Sequence, residues 1–352
     1  MNEVRSMWNK WLIVTAVAFF LLVGCNKKET VDQIPKEDVI VEEEINPSEQ
    51  VELPYHYPLT GIGSEEEIEG RAVAVMVNNH PKARPQSGLG GADIVYELLA
   101  EGDVTRYLAI FQSEKPNIIG PVRSARDYYI ELAKGYDSLY VAHGYSPDAE
   151  KMLKRGYIDQ INAIQYDGSL FKRADFRKAP HNSYISFSNI LKGAEKNDYG
   201  MERAPNSLVF LSDKEVDALA GEQATDIDIS YFAKTYNSRL QYDANLMKYK
   251  RYSNGEPTVD FETDDPILID NLLVVETRHK VIDSEGRRDI DLTTGGKGYL
   301  FQRGKVLEVE WKNVEGKIIP YQNDEVTRLV PGKTWINVMP TKPGLDKAVT
   351  FK

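Results

Sequence analysis

The pattern of apolar and polar positions after residue 54 predicts a series of short strands and helices. Arg71 to Val77 (RAVAVMV) is a short β-rich run followed by turn residues, which is typical of a buried strand. Val104 to Gln112 alternates with the period of a strand, and Ser138 to His143 (SLYVAH) predicts another. Ala92 to Ala100 (ADIVYELLA) fits either a helix or a strand, because its apolar run matches both periods.

Helix signals alternate with these strands. Ser146 to Gly156 (SPDAEKMLKRG) has a serine N-cap, a proline at the first helical position and a terminal glycine, so a helix is predicted there. Strands that alternate with helices through about residue 211 predict an α/β (or α+β) layered N-terminal domain over residues 54–212.

Beyond Ala220 the pattern changes to short alternating runs separated by turn residues. Asn254-Gly255 and Arg303-Gly304-Lys305 predict hairpin turns between such runs. The glycine-rich segment from Asp291 to Gly298 lies among these runs, so we interpret it as a turn rather than a phosphate-binding loop. Residues 220–352 are therefore predicted to form a mostly β C-terminal domain.

The amino terminus predicts export and membrane attachment. Arg5 and Lys10 precede an apolar run from Trp11 to Val23, whose 13 residues are too few for the roughly 20 that a spanning helix needs. The run ends in Leu22-Val23-Gly24-Cys25, which resembles the lipobox of bacterial lipoproteins, where a lipid is attached to the cysteine. Residues 1–24 are thus predicted to be a lipoprotein signal peptide. The alternative is an uncleaved anchor in which Cys25 is an ordinary cysteine.

Lipidation of Cys25 would leave the mature protein without a free thiol, because this is the only cysteine of the chain. Thiol catalysis, disulfides and cysteine-ligated zinc would then be excluded. The acyl chains, including palmitate, would hold the protein on the outer face of the cytoplasmic membrane. Residues 25–53 are acidic, contain proline and lack aromatic residues, which predicts a disordered tether. The net charge of −11 argues against nucleic acid as a partner.

The stretch IGPVRSARDYY, from Ile119 to Tyr129, carries the strongest candidate for a binding site. Ser124 is predicted to be the N-cap of a helix, with Asp127 three residues later as a capping box. Arg123 and Arg126 would then lie beside the free N–H groups of the helix start, where arginine matches phosphate or carboxylate. In the alternative interpretation, Arg126 pairs locally with Asp103 or Glu131 and Arg123 is only exposed.

Further candidates lie in the same predicted domain. Arg84 and Arg106 join Arg123 and Arg126 as predicted anion-binding residues, and Asp127, His143 and His181 are candidates for acid or base chemistry. A lone histidine is more often structural. The sequence contains no HExxH, paired-cysteine, GxSxG or Walker pattern, so we predict neither a metal nor a cofactor.

Several long phrases resemble the YerB family of bacterial lipoproteins. They include the segment from Asn78 to Phe111, the stretch IGPVRSARDYYIELAKGYDSLYVAHGYSP, and the phrases FKRADFRKAPHNSY, YKRYSNGEPTVDF and GKTWINVMP. The resemblance implies two adjacent domains of unknown function (DUF3048 N- and C-terminal), found mainly in Gram-positive bacteria, and it transfers no catalytic role. One departure is Asp103, where the family pattern has a second glycine after Glu101-Gly102. A weaker likeness in residue type alone links the chain to LytR-type enzymes that move anionic polymers to the cell wall.

Three functional hypotheses follow from these observations. The first is a non-enzymatic envelope lipoprotein that binds a cell-wall polymer or an envelope protein through an arginine-lined anion site. The alternative is an enzyme, a phosphotransferase or hydrolase, that acts on phosphate-bearing envelope precursors. The third is a scaffold whose β domain binds a partner by an edge or a loop.

Overall fold

The predicted strand at Arg71 to Val77 shows how the core is built, because its two faces pack in different hydrophobic clusters. Val73, Val75 and Val77 belong to one cluster of buried side chains. Ala72, Ala74 and Met76 belong to another. Side chains of a strand alternate between the two faces of its sheet, so this sheet is covered on both sides.

This computed structural model describes residues 53–352. The predicted signal peptide, Cys25 and all of the predicted tether except Leu53 lie outside the described residues. Within residues 53–352, no helix is both long and apolar enough to cross a membrane.

The strands, in chain order, have the following bounds: β1 Tyr55–His56, β2 Gly63–Ser64, β3 Val73–Asn78, β4 Ile94–Glu101, β5 Val104–Phe111, β6 Ile118–Ile119, β7 Leu139–Ala142, β8 Gln160–Asn162, β9 Phe171–Arg173, β10 Ser183–Ser186, β11 Glu222–Gln223, β12 Asp226–Ile229, β13 Ser238–Asp243, β14 Lys248–Ser253, β15 Glu256–Pro257, β16 Leu268–Ile269, β17 Asn271–Thr277, β18 His279–Val281, β19 Arg288–Ile290, β20 Gly296–Gln302, β21 Lys305–Val314, β22 Lys317–Gln322, β23 Glu325–Val326, β24 Thr334–Pro340 and β25 Val349–Phe351.

The α-helices are α1 Asp127–Gly135, α2 Pro147–Lys154, α3 Ala163–Tyr166, α4 Phe187–Lys196, α5 Asp213–Asp217 and α6 Leu345–Ala348. Short 3-10 turns cover Pro81–Ala83, Leu89–Gly91 and Lys234–Tyr236.

The largest sheet takes strands from both of the predicted domains. Its strand order is β23-β22-β21-β20-β17-β24-β4-β5-β3-β7-β8, with β11 paired to β21. The two parts meet where β24 pairs in parallel with β4, a register that places Asn337 opposite Glu97. The last long strand of the chain is therefore inserted beside a strand from its first third.

Helices and a second sheet cover the two faces of this sheet. Side chains of α1 and α2 pack in the cluster of Ala74 and Met76. On the other face, the cluster of Val73 and Val75 includes side chains of α4 and of the second sheet, whose order is β15-β14-β13-β12-β25 with β16 beside β14. Each fully buried Val, Leu or Ile side chain of this kind contributes about 1.5–3 kcal/mol.

The described part of the chain is mostly β, with 42% of residues 53–352 in strands and 16% in helices. This agrees with the class predicted for residues 220–352, whereas the layered α/β class predicted for residues 54–212 stays a prediction, as do the domain boundaries. The ambiguous segment Ala92 to Ala100 is strand β4. The hairpin turns predicted at Asn254-Gly255 and Arg303-Gly304 are confirmed, since they join β14 to β15 and β20 to β21.

A buried carboxylate on β4 connects the two sheets. Glu97 is 0% exposed, and its Oε2 accepts a hydrogen bond from Nη2 of Arg251 on β14 at 2.9 Å. The same oxygen accepts from Asn337 Nδ2 at 3.2 Å, and Oε1 accepts from Asn79 Nδ2 at 3.1 Å and from Thr105 Oγ1 at 3.0 Å. Every lone-pair direction of the carboxylate is thus used, which is the condition under which a buried ion pair is stable.

Replacing Glu97 by glutamine should lower the free energy of unfolding by about 3–5 kcal/mol, because the buried Arg251 would lose the carboxylate with which it pairs. Urea denaturation followed by tryptophan fluorescence measures this loss. Glu310→Gln is a matched control on an exposed position of β21, and its effect should stay within about 0.5 kcal/mol. Similar small losses in both variants would contradict the importance of the pair.

Candidate functional site

The backbone around Arg123 is extended, not helical. Its N–H donates to Met76 O at 2.9 Å, and its carbonyl accepts from the N–H of His143 at 2.9 Å. Ala125 N–H donates to Gly144 O at 2.9 Å in the same manner. These bonds to β3 and to the segment after β7 hold residues 122–125 in an extended conformation between the two.

The predicted helix start at Ser124 is wrong for this reason. Helix α1 begins at Asp127, its N-cap is Arg126, and the Ser124 hydroxyl donates to His143 O at 2.9 Å instead of capping the helix. The backbone before this extended segment requires glycine at position 120, because the φ of Gly120 is +156° and an added Cβ would lie 2.9 Å from Ser183 O.

Asp127 lies at the first turn of α1, away from the histidines. Burial raises the pKa of its carboxyl group, hydrogen bonds from the N–H groups of Asp127 itself and of Tyr128 oppose that rise, and the nearby Asp148 and Asp289 add to it. Arg126 is the N-cap residue of α1 and Arg123 lies in the extended backbone before it, so the two arginines do not follow a helix start at Ser124 as predicted.

Arg106 and Arg126 are buried and share one carboxylate. Nη2 of each donates to Oε1 of Glu101, at 2.7 Å from Arg106. Their other bonds go to backbone carbonyls, from Arg106 Nη1 to Ser124 O at 2.6 Å and from Arg126 Nη1 to Ala125 O. Burial lowers the pKa of Arg106 to about 10, and repulsion from Arg126 contributes while Glu101 opposes it. The pairing of Arg126 with Asp103 or Glu131 is not found, and Asp103 instead lies 3.9 Å from Nη2 of Arg288.

When Arg123 is counted with Arg106, Arg126 and Glu101, this cluster has more positive than negative charge. Arg123 is half-buried, its Nη1 donates to Pro180 O at 3.0 Å, and its Nε is buried without a hydrogen-bond partner. Within residues 53–352, no carboxylate lies within 4.0 Å of its guanidinium. Three arginines thus surround the single carboxylate of Glu101, and Arg123 is the one that reaches the surface.

Two stacked histidines lie next to Arg123. The rings of His80 and His181 are 4.5 Å apart at an angle of 24°. Asn78 Oδ1 accepts from His80 N at 2.9 Å, which leaves Asn78 Nδ2 to donate to His181 Nδ1 at 2.9 Å. His80 Nδ1 accepts from Lys82 N at 3.1 Å. Both rings therefore accept at Nδ1 and carry their proton at Nε2 when neutral.

Arg123 affects the electrostatics of both rings. Burial lowers the pKa of His80, and Lys82 and Arg123 lower it further. Burial also lowers the pKa of His181, followed by the effects of His80 and Arg123. At neutral pH the pair thus presents two neutral N–H donors beside an arginine.

His143 is held neutral by its contacts. Arg173 Nη2 lies 3.0 Å from Nε2, and an arginine can only donate, so Nε2 accepts. The proton of the neutral ring is then on Nδ1, which lies 2.7 Å from Ser183 Oγ. Burial lowers the pKa of His143, and Arg173 lowers it further. Because Nδ1 donates to Ser183, this histidine does not take the serine proton as it would in a nucleophilic dyad.

The structure thus brings together some of the predicted residues and separates others. Arg106, Arg123 and Arg126 are neighbours, and Arg123 affects the pKa of both His143 and His181. Asp127 lies near Asp148 and Asp289, and Arg84 lines a cleft with Arg251 and Ser253. Sequence reasoning missed Glu101 and Ser183. Ser183 follows His181 by two residues in the phrase APHNSY, which was the available signal.

Most of the described chain matches the two domain models of one protein family. The model for the N-terminal domain of the family described as "Protein of unknown function (DUF3048)" matches residues 59–200, and the model for its C-terminal domain matches residues 227–336. The chain belongs to this family, and the resemblance predicted from the sequence is confirmed.

A named relative and a solved structure make the similarity specific. The chain is 46% identical over 348 residues to "Putative lipoprotein YerB" of Bacillus subtilis (strain 168), covering 97% of this chain and 98% of the relative. It is also similar to the crystal structure of YerB from Bacillus subtilis, with a TM-score of 0.79 and 47% identity, covering 85% of this chain and 99% of that one.

Replacing Arg173 by alanine should raise the pKa of His143 toward its ordinary value, because Arg173 disfavours the imidazolium. Imidazole nitrogen chemical shifts followed by NMR over a pH series measure both the pKa and the tautomer. Lys172→Ala, at the exposed neighbouring position, is the control and should leave both unchanged. A lower or unaltered pKa in Arg173→Ala would show that the assignment of Nε2 as acceptor is wrong.

Proposed function

We propose that the protein is an extracytoplasmic, membrane-anchored lipoprotein that serves as a binding or accessory factor of the bacterial cell envelope. The lipid would be attached to Cys25, and the anion site would be centred on Arg123. The predicted signal peptide and the name of the Bacillus subtilis relative support the anchored location.

The observation that carries the binding proposal is the uncompensated charge at Arg123. Arg106 and Arg126 already donate to Glu101 and are buried, so their role is to position the loop and to add positive potential. Arg123 has a buried Nε without a partner and lies beside the N–H donors of His80 and His181. Charge-assisted hydrogen bonds from such a set suit phosphate or carboxylate groups of an envelope polymer or of an acidic protein surface.

The geometry favours binding over catalysis. An acid or base at this site requires a histidine nitrogen that is free to exchange a proton with the substrate. Both ring nitrogens of His143 are occupied, by Arg173 and by Ser183. His80 and His181 each use Nδ1 as an acceptor, so in the neutral rings Nε2 already carries a proton and cannot act as a base.

The test compares Arg123→Gln with the wild type in binding to poly(glycerol phosphate), a defined anionic polymer, with the lipidated protein in detergent. Loss of the charge should weaken binding by about 10-fold or more, since a hydrogen bond to a charged group contributes about 1.5–3 kcal/mol. Arg126 is unsuitable for this test because its removal would leave Glu101 with fewer partners in a buried site.

Arg203→Gln is the matched control, because it removes the same charge from an arginine side chain that is 80% exposed. It should reduce binding only slightly, and both variants should melt within a few degrees of the wild type. Equal losses in the two variants would mean that net charge, not the site at Arg123, governs binding.

A further inference from the structure

A cleft of about 370 Å³ separates the loop after β3 from the hairpin of β14 and β15. Its walls include the rings of Pro81, Pro85 and Pro257, and Arg84, Tyr107 and Arg251 also line it. The volume lies in the range of small-molecule sites. The cleft draws on both parts of the family, since the loop is in the first and the hairpin in the second.

Arg251 is at the inner end of this cleft with one donor unused. The residue is 2% exposed, its Nη2 donates to Glu97 and its Nη1 donates to Thr258 Oγ1 at 3.0 Å. Its Nε is buried and has no partner. The guanidinium lies over the ring of Trp335, 4.7 Å from the centroid, which fixes its orientation.

Arg84 enters the same cleft from the loop. Its Nε donates to Asn79 Oδ1 at 2.9 Å, while its Nη2 is buried and has no partner. Among residues 53–352, no carboxylate lies within 4.0 Å of this guanidinium. The ring of Tyr236 supports it at 5.6 Å from the centroid.

A serine hydroxyl adds a third unused polar group. Ser253 on β14 lines the cleft, is 6% exposed, and its Oγ has no hydrogen-bond partner. Buried donors without partners are rare in folded proteins, and the side chains of Arg84, Arg251 and Ser253 line the same cleft. Three such groups in one cleft indicate a ligand with hydrogen-bond acceptors.

The charges of the cleft restrict the ligand further. In the interior of the cleft, Arg84 and Arg251 carry two positive charges and Glu97, which pairs with Arg251, carries one negative charge, so one positive charge remains there for a ligand. The charge of Glu256 is at the exposed rim, where solvent screens it. The proline rings supply apolar contact for an organic group attached to the anion.

We propose that this cleft binds a small organic carboxylate, such as the free C-terminus of a short peptide. The carboxylate accepts hydrogen bonds from the side chains of Arg84, Arg251 and Ser253, which line the cleft. A single carboxylate balances the remaining charge, whereas a phosphate dianion would leave an excess of negative charge. This site differs from the one at Arg123 and does not depend on it.

Calorimetric titration of the full, lipidated protein in detergent tests the proposal with three probes: N-acetyl-alanyl-alanine, its C-terminal amide and inorganic phosphate. We expect the free acid to bind and the amide to bind at least about 10-fold more weakly, because the amide lacks the charge. Absence of measurable binding of the acid, equal binding of the amide, or preferred binding of phosphate would overturn the proposal.

Ser253→Ala provides the sharpest variant, because its hydroxyl has no partner to lose and the fold should keep its melting temperature. Binding of the acid should weaken by about 10-fold. Ser238→Ala is the matched control: Ser238 is opposite Ser253 in the β13–β14 register, its Oγ is also buried without a partner, and it does not line the cleft. Equal weakening in both variants would assign the effect to the sheet and would overturn the site.

Discussion

The structure depends on the buried ion pair between Glu97 and Arg251. A carboxylate and a guanidinium that are both removed from water are stable only when they are closely paired with each other, because desolvation of either ion alone costs several kcal/mol. Here the acid is on β4 of the large sheet and the base is on β14 of the second sheet. Asn337 on β24 donates to the same carboxylate, so one group joins the two sheets and the strand β24 that is inserted beside β4. The apolar packing on the faces of the sheets can vary, but the buried carboxylate of Glu97 is stable only when all of its hydrogen-bond partners are present.

At both candidate sites, the arginines outnumber the carboxylates that pair with them. Glu101 is the only carboxylate paired with Arg106 and Arg126 in the described part of the chain, and Arg123 beside them has none. Glu97 neutralises Arg251 but not Arg84. At both sites, backbone carbonyls, aromatic rings or one shared carboxylate hold the arginines in position. One guanidinium at each site then has no carboxylate partner among the described residues. Such preorganised donors favour an anion without rearrangement of the loops.

Much of the local structure could be predicted from the sequence, because the relevant signals are local. The strands β3, β5 and β7 follow from apolar runs, and α2 follows from its serine cap, which accepts from Ala149 N at 3.3 Å. The start of α1 could not be predicted, since the bonds that keep residues 122–125 extended come from Met76 and Gly144. The burial of Arg251 could not be predicted from the sequence. On β14, Arg251 and Ser253 face inward with Tyr249 while Tyr252 faces outward, whereas polar side chains usually face outward and aromatic ones inward. The carboxylate of Glu97 within the apolar run IVYELLA indicates that a buried, positively charged partner is needed.

The most direct test of this account is a double-mutant cycle on the ion pair, with Glu97→Gln, Arg251→Met and the double variant. The free energy of unfolding is measured in urea, with tryptophan fluorescence and far-ultraviolet circular dichroism recorded together. The account predicts that the double variant loses less than the sum of the two single losses, by about 2 kcal/mol or more. It also predicts that the two signals change in one transition. Losses that add within about 0.5 kcal/mol would contradict the claim that this pair joins the two sheets.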